Sequence, residues 1–247
     1  MNRYKITIQY DGSNFSGFQS QKDKSGIQNK IESSIAILNN ENFVKLYGAS
    51  RTDSGVHALG QVAHFDLNTS LSENDLRKAI NARLEKEIRI SDIKIVDKDF
   101  HSRFDAKGKE YNYRCTLDEN PLSVNSHFFV KNVNIDILNS VSKLIIGEHD
   151  FLSFSKFSNK KNNRCVIFTS EWILDKSNQK LLYIIRGNRF LHHMVRYLVG
   201  TMIATAQNKM TEKEFERLVI DPKKDAKIYK SPAKGLILKE IFYDKFF

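Results

Sequence analysis

Asp53 sits in the run Ser50-Arg51-Thr52-Asp53-Ser54-Gly55, a short polar turn with a guanidinium two residues before the acid. A carboxylate held on a tight loop can act as a nucleophile toward a sugar or an electrophilic base, or as a general acid or base. Arg51 and Thr52 could orient it, and a nearby guanidinium would favour the ionised form. Asp-Ser-Gly is also an ordinary turn, because Asp bonds its own backbone and Gly accepts left-handed geometry. Local spacing leaves both readings open.

Two further stretches carry reactive or stacking groups. Lys109-Glu110-Tyr111-Asn112-Tyr113-Arg114 places two phenols on one face of a strand, interleaved with cations. Such aromatics stack on unpaired bases, and a phenol can also move a proton; the same pattern suits a strand with aromatic core residues. Arg186 to Arg196 opens a helix whose stripe is Phe190, Met194, Leu198 and Met202. Arg196 beside that stripe needs a carboxylate partner if buried, and Asp53 is the natural candidate. His192 and His193 are adjacent, point apart on a helix and make a poor metal pair, so no metal is expected. Lys156 to Arg164 is a basic loop, either solvated or tracking phosphates. Lys22 and Lys24 allow the same two readings.

The elements that position these groups follow from periodicity. Arg3 to Gln9 alternates as a strand, and Ile27, Ile31, Ile35 and Leu38 share a helical face. Phe43 to Tyr47 and Gln61 to Asp66 read as strands on either side of the Asp53 turn. Ser72 and Asp75 cap a helix carrying Leu76, Ala79, Ile80 and Leu84, and Ile88 to Val96 is a further strand. The order β-α-β-β-α-β is the split βαβ arrangement. The second half repeats it: strand Glu110–Thr116, helix Ile135–Ile146 ended by Gly147, strands Cys165–Ile173 and Lys180–Arg186, helix Phe190–Thr205, a short helix capped by Thr211 and Glu214, and strand Leu236–Tyr243. The fold class is therefore α+β, with two RRM/ferredoxin-like halves, residues 1–103 and 104–247, whose antiparallel-rich sheets abut.

Composition narrows the function. The 247 residues include 39 Lys+Arg against 29 Asp+Glu, a net charge of +10 that favours a polyanionic partner, nucleic acid before membrane. Cys115 and Cys165 form no CxxC and fall in apolar strand-like runs, as buried free thiols of a reducing compartment do. No apolar run is long enough to span a bilayer and the start lacks a signal-peptide core, which points to a cytoplasmic protein.

With these residues in view, the stretch GASRTDSGVHALGQVAHF closely resembles the signature of the tRNA pseudouridine synthase A family. YDGSNFSGFQSQ, FHSRFDAKGKEYNYR, HDFLSFSK, GNRFLHHMVRYLVGT and SPAKGLILKEIFY resemble its other motifs, in order along nearly the whole chain. The resemblance implies the pseudouridine synthase fold and isomerisation of uridine to pseudouridine at positions 38 to 40 of the tRNA anticodon arm. It further implies a homodimer, base flipping, and no cofactor or metal. Asp53 matches the catalytic aspartate, Tyr111 the tyrosine that stacks on the target base, Arg196 the cation paired with the aspartate, and Arg51 the arginine that opens the stem. Phe18, Gln19 and His57 fall at substrate-contact positions. The chain departs from the pattern at Phe18, where Trp is usual, at Asn163, and at Lys86 and Glu87, where Pro is common.

Two other readings compete. An aspartic peptidase shares the Thr-Asp-Ser-Gly turn but needs two carboxylates sharing a proton and an all-β fold. A non-catalytic RNA-binding protein with an RRM-like sheet shares the fold but not the need for Asp53.

Overall fold

Strand β1 (Asn2–Tyr10) buries alternate side chains, Tyr4, Ile6, Ile8 and Tyr10, as a period-two pattern demands. The structure is a computed structural model and describes residues 1–23, 25–156 and 162–244. The chain divides into two compact units, residues 1–107 with 237–247, and residues 108–236.

In the first unit β1 is followed by α1 (Ile27–Leu38), β2 (Tyr47–Gly48), β3 (His57–Leu67), α2 (Glu73–Asn81) and β4 (Ile88–Val96). The strands lie in the order β4-β1-β3, with β2 also paired to β3, the arrangement expected of a split βαβ unit. β1 is antiparallel to both neighbours, with Ile6 opposite Ala63 and Ile93. Ile27, Ile31, Ile35, Leu76 and Ile80 are fully buried, each worth roughly 1.5–3 kcal/mol of apolar transfer. Ser72 caps α2 by accepting the Asp75 N–H, as its sequence indicates.

The second unit runs β5 (Gly108–Thr116), β6 (Phe128–Phe129), α3 (Ile135–Lys143), β7 (Gly147–Asp150), β8 (Arg164–Asp175), β9 (Lys180–Gly187), α4 (Met194–Ala206) and α5 (Glu212–Ile220). Its sheet order is β5-β9-β8-β7, with β6 beside β5. Thr211 and Glu214 form the capping box of α5. Cys115 and Cys165 are buried free thiols, and burial pushes the Cys165 thiol up to about 11.

Several elements differ from the periodicity reading. The final strand, β10 (Leu236–Phe242), runs parallel to β3, with Ile237 opposite His57, so the end of the chain groups with the first unit. The boundary expected at 103/104 falls at 107/108. Of the expected strand 43–47 only Tyr47 pairs, with Gly48 after it, because side chains of α1 take the backbone of Leu46: Glu32 Oε1 accepts its N–H and Gln28 Nε2 donates to its carbonyl. Helix α4 starts at Met194, not Phe190, since His193 adopts a left-handed φ of 64°. Helix α3 ends at Lys143, and Gly147 (φ 105°) begins the unexpected short strand β7. Lys24 and residues 157–161 of the basic loop lie outside the described residues.

Candidate active site

The loop carrying Asp53 runs between β2 and β3 and is tied at several points. Ala49 N donates to Val62 O at 2.8 Å, continuing the strand pairing past Gly48. The buried Gln61 side chain closes the neck: its Oε1 accepts from Ser50 N at 3.2 Å and its Nε2 donates to Ser50 O at 2.7 Å. Thr52 is buried and its Oγ1 lies 2.8 Å from the Tyr10 hydroxyl. The carbonyl of Thr52 accepts the Phe18 N–H at 3.2 Å. Beyond the acid, Val56 N donates to Asp53 O, and Ser54 Oγ donates to Phe15 O at 3.1 Å. Gly55 turns the chain with φ 76°. Asp53 itself is half-buried, so its carboxylate is neither in the core nor fully solvated. A braced loop around a half-buried acid holds the carboxylate in one geometry without placing it in the core.

The N-terminal segment 11–19 packs beneath this loop. Gly17 adopts φ 99°, and a Cβ there would lie 2.6 Å from Thr52 O. Phe18 is only 2% exposed, its ring stacked 6.2 Å from Tyr10 and so close under Gly48 that a Cβ on Gly48 would meet it at 2.2 Å. Phe18, expected to touch substrate, thus supports the loop from below. Gln19 and Arg51 are exposed. His57 Nδ1 lies 3.1 Å from Asp11 Oδ1 and 3.2 Å from Gly12 N. Burial raises the Asp11 carboxyl, but the Ser13 hydroxyl, the Ser13 N–H and His57 outweigh it and hold the group below the usual carboxylate range. Gln61, Tyr10 and Gly17 are the positioning residues that motif reading missed; the turn-rich Tyr10–Gly17 stretch carries the signal for two of them.

In the second unit the two tyrosines of β5 part company. Tyr113 is fully buried and donates to Pro232 O at 2.7 Å; burial pushes its phenol far up, so it packs and does not titrate. Tyr111, 6% exposed, meets Phe190 edge-on at 5.2 Å. Arg196 sits on the first turns of α4, where its Nε donates to Ser231 O at 2.9 Å while its own carbonyl accepts from Ser231 N and Oγ. Gly200 permits this strap to approach: a Cβ there would lie 2.4 Å from Tyr229 O. His192 and His193 do not point apart. They precede the helix, and their ring centroids lie 4.0 Å apart with the planes tilted by 45°, with His193 Nδ1 2.9 Å from Lys230 Nζ.

The arrangement therefore offers one acid on a rigid loop in one unit, and a phenol and a strapped arginine in the other. The family described as tRNA pseudouridine synthase matches residues 6–105 and 141–244, segments that contain Asp53 and Arg196. The chain belongs to the tRNA pseudouridine synthase family. Among its relatives, the tRNA pseudouridine synthase A of Phytoplasma mali is 39% identical over 97% of this chain and 98% of that protein. The enzyme of the same name from Ligilactobacillus salivarius is 34% identical over 98% and 97%, and that of Brevibacillus brevis 35% over 98% and 100%. The mixed α+β units are the fold of this synthase family. Among the described residues no helix is long and apolar enough to cross a membrane.

Proposed function

We propose that this chain converts uridine to pseudouridine in tRNA, at positions 38 to 40 of the anticodon arm. The observation that carries the reading is family membership across nearly the whole chain, coupled to an Asp53 loop braced from Tyr10, Gly17 and Gln61. The target lies in a stacked stem, so it is extruded at a cost of a few kcal/mol, offset by a strongly basic protein. In the reaction the N1–C1′ bond breaks, the uracil turns, and a C5–C1′ bond forms. C5 gives up its proton and N1 gains one, so the sum is an isomerisation with no redox change. Asp53 serves by attacking C1′, by adding to C6 or by taking the 2′ proton. Tyr111 stacks on the target base, Arg196 supports the ionised aspartate, and Arg51 helps hold the stem open. Gln19 and His57 contact the RNA beside them. The protein acts as a homodimer in the cytoplasm.

The test is a carbodiimide mass-tagging map of pseudouridine in unmodified tRNA incubated with the protein. Tags confined to positions 38 to 40 support the reading; tRNA that is bound but untagged would favour a non-catalytic RNA-binding protein.

A further inference from the structure

Among the described residues of the first unit, Phe104 is the most exposed aromatic side chain, at 75%. A single exposed Phe on a protein surface needs no explanation. Phe104 is different because its position is rigid. The His101 Nδ1 accepts from the Arg103 N–H at 3.1 Å and from the Phe104 N–H at 3.3 Å. Asp105 closes the turn, its carboxylate accepting the His101 N–H at 2.7 Å while its own N–H donates to His101 O. The Phe104 ring lies 4.2 Å from the His101 ring. His101 in turn meets His64 at 4.8 Å, and His64 stacks on Tyr47 at 4.9 Å with only 11° between the planes. Ser102 locks the base of this ladder, donating through Oγ to Tyr47 O at 2.6 Å and through N to His64 Nδ1 at 3.2 Å.

Cations flank the ladder. Lys45 Nζ sits 4.9 Å from the Tyr47 ring centroid, and Arg103, beside Phe104, is exposed. Aromatic rings with adjacent cations are the general means of holding single-stranded nucleic acid: bases stack on the rings and phosphates meet the charges. Tyr47 also begins the segment leading to Asp53, six residues on, so the ladder stands on the same support as the reactive loop. We infer that Phe104 is a preset stacking platform for an unpaired base of the bound RNA, with Lys45 and Arg103 on its flanking phosphates. This rests on the reading of the chain as a tRNA-modifying enzyme, and it assigns a base contact apart from the flipped uridine.

The full-length protein, Phe104→Ala and Phe104→Trp are compared for tRNA affinity across a series of salt concentrations. Phe104→Ala is expected to bind about tenfold more weakly, with the slope of log affinity against log salt unchanged. Phe104→Trp is expected to bind like the wild type and to lose tryptophan emission on saturation with tRNA, after subtraction of the buried Trp172 signal. A fully paired RNA duplex should leave that emission unchanged. Equal tRNA affinity of Phe104→Ala and wild type, in a wild type that binds and modifies tRNA, would sink this inference alone. Loss of self-association in Phe104→Ala with RNA affinity intact would assign the ring to a protein contact and also overturn it. A wild type that neither binds nor modifies tRNA would remove the reading beneath it.

Discussion

The hydroxyl of Tyr10, at the end of the first strand, lies 2.8 Å from Oγ1 of Thr52, the residue next to the candidate catalytic acid. Both residues are buried, so this bond ties the Asp53 loop directly to the sheet. Tyr10→Phe removes the hydroxyl and keeps the ring that stacks on Phe18. Unfolding free energy should fall by about 1 kcal/mol, and turnover should fall while tRNA affinity holds. Urea denaturation and single-turnover kinetics check the two halves; unchanged turnover would mean that the loop holds its shape without this tie.

Gly17→Ala attacks the same loop from below. Its φ of 99° suits glycine, and the added Cβ would sit 2.6 Å from Thr52 O. The expected cost is about 1–3 kcal/mol in stability. A control, Gly147→Ala, places a side chain at a comparable positive φ of 105° in the second unit, with nothing closer to its Cβ than His149 Nε2 at 3.6 Å. It should destabilise the fold with a smaller loss of activity per kcal/mol.

Gly200→Ala separates helix propensity from packing. Alanine inside a helix is normally better than glycine by about 1 kcal/mol. In α4 the methyl would lie 2.4 Å from Tyr229 O and 2.7 Å from Ser231 N, displacing the strap that holds Arg196. The variant should be less stable than wild type and bind tRNA more weakly. A rise in melting temperature would contradict this packing.

His64 gives a pH dependence with a definite sign. It is 2% exposed, and burial first, then His101 and Arg3, push its imidazole down to about 4 from an ordinary 6.5. The unfolded chain therefore binds this proton more tightly than the folded one. The stability tied to neutral His64 is complete above pH 6.5 and is lost as pH falls from there toward 4. Between pH 7 and 5.5 the loss should be about 1 kcal/mol, seen as a drop in the urea midpoint. His64→Gln should flatten that segment; an identical pH slope in the variant would refute the assignment.

Much of this architecture was legible in the sequence, for reasons that can be traced to particular residues. Alternation in β1 and the spacing of Ile27, Ile31 and Ile35 report directly on burial, and Ser72 and Thr211 announce helix starts by cap chemistry. The failures have one origin, contacts remote in sequence. The strand expected at 43–47 lost its pairing to the side chains of Gln28 and Glu32. The left-handed His193 cut short a helix whose apolar stripe began at Phe190. The four residues of β7, Gly-Glu-His-Asp, have no apolar alternation, and their strand exists through pairing with β8. At the site, the motifs mark Asp53 and Phe18 alike, but they do not record depth: Phe18 is buried beneath the loop while Asp53 is half-buried.

Phosphate contacts should dominate RNA binding by a chain of net charge +10. Affinity for tRNA should fall more than about tenfold between 50 and 200 mM salt. A flat response in a filter-binding titration would argue against a broad basic surface.

The most direct test of the central claim compares wild type with Asp53→Asn, which keeps the size of the side chain and removes its charge. Pseudouridine formation in tRNA and tRNA affinity are measured side by side. Asp53→Asn is expected to bind tRNA within about twofold of wild type and to form no pseudouridine, because it keeps the braced loop and loses the carboxylate proposed to do the chemistry. Normal turnover by Asp53→Asn would contradict it.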